Sequence, residues 1–125
     1  MNPNGQNQVW SSWRFGIHEA GRVMPRAAVC FNVARWMRRM FGSATRARVT
    51  RTLSGWTIEV VSEGRPADDP SFVARVAAEF QRSFVTLGWG PLASSLVTAK
   101  ILAGPDPSGR PRRQWVEMPT IGLRG

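Results

Sequence analysis

One cysteine, one histidine, one lysine and no tyrosine are what this 125-residue chain has least of, and each scarcity closes a route. With Cys30 alone no intrachain disulfide can form, and Cys30 together with His18 cannot assemble a Cys/His metal centre from a single chain. No apolar run approaches the ~18 residues of a membrane-crossing candidate. The opening Met1-Asn2-Pro3-Asn4-Gly5-Gln6-Asn7-Gln8 lacks the basic and apolar blocks of a secretory leader, so the expected compartment is the cytoplasm. No Walker-type phosphate loop, G-x-G-x-x-G, HExxH or G-x-S-x-G occurs, and no cofactor is expected.

Acidic residues are also few. Sixteen Arg and one Lys stand against eight Asp and Glu, for a formal charge of +9. A GC-rich coding bias accounts for arginine in place of lysine, but not for where the charge falls. Residues 14–51 carry nine Arg and only Glu19, a net +8; residues 52–106 net −2; the tail from Pro107 nets +3. Such asymmetry points a positive field at an anionic partner.

What the chain does contain is enough apolar material to fold. Hydrophobic residues reach 42%, with six Trp and six Phe, well above a disordered composition. The length suits one apolar core. We expect a polar, flexible start over residues 1–9 and a single basic α+β domain over 10–125, with Trp10 to Phe15 packing across it.

Two helices and two hairpins are expected. Val23, Ala27, Cys30, Val33, Ala34, Met37, Met40 and Phe41 recur at three- and four-residue steps and predict a helix over about 24–41, with Pro25 in its first turn and Gly42 as its stop. Asn32, Arg35, Arg38 and Arg39 fall on its polar side, and His18 to Arg22 reads as a preceding turn or short helix. Asp68-Asp69-Pro70 announces a second helix over about 70–87, with Val73, Val76, Ala77, Phe80, Phe84 and Leu87 buried.

Alternation over 45–63 predicts a hairpin turning at Ser54-Gly55, pairing Leu53 with Trp56, Val49 with Val60 and Arg46 with Glu63. Leu92 to Ala103, bounded by Gly90-Pro91 and Gly104-Pro105, suits a helix by its bounds and a strand by the alternation around Val97, Thr98 and Ile101; the strand is preferred because the Pro-rich loop at 104–111 returns into Gln114 to Met118, a second hairpin over about 95–119. The fold class is therefore α+β, an antiparallel sheet with its helices on one face.

Three basic elements are candidate sites. Arg35, Arg38 and Arg39 crowd one helix face, where guanidinium groups can hold phosphate oxygens and Phe31, an aromatic on the polar side, can stack on a base; a solvated charged face explains the arginines equally well. Arg46 and Arg48 lie on the outward face of the first hairpin, where cross-strand pairing with Glu59 and Glu63 competes with phosphate binding. Arg110, Arg112 and Arg113 form a basic arm among prolines. Arg51 falls on the apolar face near the hairpin tip and needs solvent or an acceptor.

These elements predict a non-enzymatic binder of RNA or DNA acting through phosphate contacts, with no metal. Two other readings stand beside it. His18 and Glu19 can be read as the acid/base pair of a small metal-independent ribonuclease or toxin, though spacing alone says little of convergent geometry. Alternatively the Arg face meets an acidic protein, as in an assembly subunit of a phage, mobile-element or ribonucleoprotein particle, and homo-oligomerisation is open. An anionic membrane surface ranks third as a partner, because the apolar stripe of the first helix is what a core helix needs. Cys30 reads as a buried small hydrophobe, inaccessible as a nucleophile.

Overall fold

A computed structural model describes residues 8–19, 23–42, 45–85 and 92–109. In chain order these form strand β1 (Val9–Glu19), helix α1 (Arg26–Met40), strands β2 (Thr45–Arg51) and β3 (Gly55–Glu63), helix α2 (Pro70–Val85) and strand β4 (Leu92–Ala103), with short 3-10 turns at Pro66–Asp68 and Pro107–Gly109. The strands make one antiparallel sheet in the order β2-β3-β1-β4. Sequence order and sheet order together are those of the ferredoxin-like split βαβ arrangement. The expected α+β class, a sheet with both helices on one face, is the one observed.

The strand pattern explains which face the helices cover. In β1, Trp13, Phe15 and Ile17 alternate with Arg14, Gly16 and His18; the first set is buried and the second faces outward. Trp13 lies opposite Val60, Phe15 opposite Ile58 and Ile17 opposite Trp56, and β2 adds Ala47 and Val49 to the same face. Against them α1 buries Val29, Val33, Ala34, Trp36 and Met37, and α2 buries Val76, Phe80 and Phe84. Ring geometry fixes the layer spacing at its centre: Phe15 stacks on Phe80 with centroids 4.3 Å apart, and Trp36 meets both edge-on at 4.8 and 5.1 Å. Trp13 Nε1 donates to Ser62 Oγ at 2.9 Å, so its polar edge is satisfied inside the core.

Both ends of α1 and the start of α2 have identifiable caps. The carbonyl of Pro25 accepts from the N–H groups of Ala28 and Val29, which makes Pro25 the cap of α1 rather than a member of its first turn. Gly42, at φ +85°, takes the left-handed conformation that stops the helix. At α2, Asp69 Oδ1 accepts from Ser71 N–H at 3.0 Å with Pro70 at the first helical position, as the sequence pattern requires. Among the described residues no helix is long and apolar enough to cross a membrane.

Four further details differ from the sequence reading. Residues 9–19 are a central strand, and His18 lies in that strand instead of a turn. Val23 lies before α1 and is exposed, as is Ala27 within it; Cys30 is only half-buried, Val29 and Trp36 take core positions, and Asn32 is buried with its side chain donating to Ala28 O at 2.8 Å. The first hairpin pairs Arg51 with Trp56, Val49 with Ile58 and Arg46 with Val61, two residues from the expected register, and Leu53 stands fully exposed in the turn. A shift of two keeps the paired side chains on their expected faces and moves Leu53 from the apolar face into the turn. β4 is a strand as read, but its described partner is β1; the expected return strand at 114–118 lies outside the described residues.

Candidate nucleic-acid interface

Helical periodicity puts Phe31, Arg35, Arg38 and Arg39 on the side of α1 opposite Val29, Val33, Trp36 and Met37, and all four are exposed. Arg35 carries its guanidinium 5.7 Å from the centroid of the Phe31 ring, one turn away. Arg39 Nη2 lies 3.8 Å from Glu79 of α2 and 3.3 Å from Ser83 Oγ, a loose tie that leaves more than half of the side chain exposed. Arg35, Arg38 and Arg39 border a shallow, open depression of about 380 Å³.

α1 contains four arginines and no acid, and the described acid in reach of the depression is Glu79 of α2, which Arg82 also bonds at 2.5 Å. Two of the α1 arginines lie in its last turn, where cations also complement the helix dipole.

Arg46 and Arg48 project from the opposite side of the domain. They alternate with buried Ala47 and Val49 and so face away from the helices. Glu59 accepts from Arg48 Nε at 2.7 Å and from Arg14 Nη2 at 2.8 Å, which makes an ion triad across β2, β3 and β1. Arg46 is bound by Asp106, not by Glu63 as expected. Burial pushes the Glu59 carboxyl up, but hydrogen bonds and charge from Arg14 and Arg48 outweigh it and hold the group below the usual range. At Asp106 burial is likewise outweighed, by donors from Ser108 and by Arg46.

Asp106 reaches Arg46 because residues 104–109 fold back from β4, at one edge of the sheet, to β2 at the other. Trp10 Nε1 donates to Gly104 O at 2.9 Å, the Gly104 N–H donates to Gln8 O, and Ser108 is buried with its N–H and hydroxyl on Asp106. That crossing lies against outward-facing Trp10, which is buried. The sheet arginines thus neutralise the chain's own carboxylates, whereas among Arg35, Arg38 and Arg39 only Arg39 meets a described one, loosely, at Glu79. Arg110, Arg112 and Arg113 lie outside the described residues.

His18 and Glu19 do not form a pair. As neighbours in a strand they point to opposite faces, His18 outward and exposed, Glu19 toward the helix side. There Glu19 accepts from Met24 N–H at 2.6 Å, from Trp56 Nε1 at 3.2 Å and from Arg51, whose guanidinium also sits 4.9 Å over the Trp56 ring. This is the acceptor Arg51 needed, and it ties the end of β1, the entry to α1 and the β2–β3 turn together. The signal was present in the sequence, because Glu19 is the one acid among nine arginines. Cys30 shows no sign of activation: partial burial pushes its thiol pKa up, against the pull of Arg26.

The same carboxylates set a pH dependence. Burial raises the Glu19 pKa, but the bonds from Arg51, Met24 and Trp56 more than reverse this, so its folded value is lowered, as for Glu59 and Asp106. A carboxyl with a depressed folded pKa binds protons more readily in the unfolded chain. Its stabilisation is therefore full above the ordinary carboxylate pKa of about 4 and is lost as pH falls through the folded value. Urea midpoints should be level from about pH 7 to 5 and drop toward pH 3, and Glu19→Gln should lower the neutral-pH midpoint while shrinking that drop. A midpoint unchanged on acidification would refute the assignment.

No family model matches the chain, and no curated protein matches it. Among solved structures, the chain is similar to a protein provisionally described as a chlorite dismutase, with 15% identity over 76% of this chain and 42% of that one, at a TM-score of 0.36. A likeness of that size carries no functional inference.

Proposed function

We propose that the protein binds nucleic acid, RNA or DNA, through phosphate contacts made by the outer face of α1, without chemistry on the bound polymer. The observation that carries this reading is the division of the arginines: those of the sheet face are engaged by Glu59 and Asp106, whereas Arg35, Arg38 and Arg39 border one depression on a helix with no acid of its own, and only Arg39 meets a described carboxylate, through its loose tie to Glu79. Guanidinium groups so placed match phosphate oxygens in geometry and charge. The separation of His18 from Glu19 removes the support that sequence adjacency lent to a ribonuclease reading. A cytoplasmic site of action suits a nucleic-acid partner.

Salt dependence tests the proposal. Three engaged phosphates give a log–log slope of roughly −2.7 on B-DNA, from about −0.9 each, and engagement of Arg110, Arg112 and Arg113 as well would steepen it toward about −5. Sequence preference should be weak, since phosphate contacts carry no base information. Fluorescence anisotropy against random-sequence DNA and RNA from about 20 to 200 mM salt reads both quantities. No binding to either polymer at the low end would overturn the proposal and leave an acidic protein surface as the partner of the α1 face.

A further inference from the structure

Among the described residues, aromatic side chains are hidden with one exception. Trp13, Trp36, Phe15, Phe80 and Phe84 are fully buried, Trp10 and Trp56 nearly so, and Phe41 and Phe72 pack partly buried against the core. Phe31 alone stands out, 45% exposed, at the head of the row that continues through Arg35 to Arg38 and Arg39. The core does not use it, and its described ring partner is the Arg35 guanidinium. From Phe31 to Arg38 is about 10 Å along the helix, at ~1.5 Å per residue.

An exposed ring beside a row of guanidinium groups distinguishes between two kinds of polyanion. A duplex offers phosphates to the arginines but keeps its base faces inside the stack, so the ring would gain nothing. A single strand offers phosphates and free base faces together, and base–aromatic stacking with an adjoining cationic track is how such strands are held without sequence preference. On the α1 reading above, we propose that Phe31 is a base-stacking platform and that the preferred ligand is single-stranded nucleic acid.

The test compares a 12-nucleotide oligo-dT with a blunt duplex of the same length at low salt, by anisotropy, in wild type, Phe31→Ala, Phe31→Leu and Phe31→Tyr. Wild type should bind the single strand more tightly than the duplex. Phe31→Ala and Phe31→Leu, which lack a π face, should lose about 5- to 150-fold in single-strand affinity, the range for one stacked base, with duplex affinity and salt slope unchanged. Phe31→Tyr, which keeps the π face, should bind as wild type. Because Phe31 lies outside the core, all three should melt as wild type does. Equal single-strand binding by the Ala and Tyr variants, or a wild type that prefers duplex, overturns the inference. If reversal of the α1 arginines still abolishes binding in that case, the phosphate reading survives without the stacking one; if wild type binds neither polymer, both fall.

Discussion

Gly55→Ala is expected to cost about 3 kcal/mol or more, at or beyond the upper end of ordinary overpacking, and so a large share of a small domain's total stability. Gly55 begins β3 and lies opposite His18 of β1. A methyl group there would stand 1.8 Å from the Ile17 carbonyl oxygen, 2.8 Å from its carbon and 3.1 Å from His18 Cα. These are backbone atoms and cannot rotate aside, so the strands must part. Parting them strains the bond from Glu19 N–H to Ser54 O and the Glu19 cluster just beyond it. Gly16→Ala is the control in the neighbouring strand, since its added methyl meets only Val97 Cγ2 at 3.8 Å. Urea denaturation should show a much lower midpoint for Gly55→Ala and little change for Gly16→Ala. Equal midpoints for Gly55→Ala and wild type would show that the close approach at Gly55 does not hold in solution.

The register around Gly55 also shows what pattern reading can reach. Alternation placed Ala47, Val49, Trp56, Ile58 and Val60 on one face, and they are there. It did not fix the turn, because registers two residues apart satisfy the same alternation. Pairing apolar Leu53 with Trp56 was the hydrophobic choice; the chain instead exposes Leu53 and sets Arg51 over Trp56, since that guanidinium also reaches Glu19. A partner 32 residues away is invisible to local pattern.

The central strand escaped for a related reason. Trp13, Phe15 and Ile17 alternate cleanly with Arg14, Gly16 and His18, but Trp10 breaks the phase because it is buried from the other side, under residues 104–109. β4 was ambiguous because a bulge shifts its pairing with β1 between Arg14 and Phe15, which breaks the period-two signal. α2, with an acidic cap, a proline start and one apolar stripe, had no competing pattern: its start at Pro70 is as read, and the expected end at Leu87 lies outside the described residues. At the candidate site the α1 face was legible from period alone, as was the competition of Glu59 for Arg48. The capture of Arg46 by Asp106 depends on a chain crossing that only tertiary structure reveals.

That division of the arginines yields the second large effect. Replacing Arg35, Arg38 and Arg39 together by Glu should reduce nucleic-acid binding by more than about 100-fold, taking ~1 kcal/mol for each exposed arginine–phosphate pair removed and adding repulsion of the same order. The fold should survive. The three side chains are exposed and face away from Val29, Val33, Trp36 and Met37; the cost is limited to the helix dipole, about 0.3–1 kcal/mol per reversed end charge, and to new repulsion at Glu79. Arg→Gln at the same positions creates no repulsion and forfeits the dipole attraction of Arg38 and Arg39 without reversing it, and should still weaken binding, with a flatter salt slope. Arg48→Gln supplies the contrast, since Arg48 projects from the opposite side of the domain and bonds Glu59. It should leave affinity and salt slope nearly unchanged. If the α1 reversal binds as wild type while folded, or if Arg48→Gln weakens binding as much as the α1 changes do, then phosphate is not recognised by the helix face and the proposal fails.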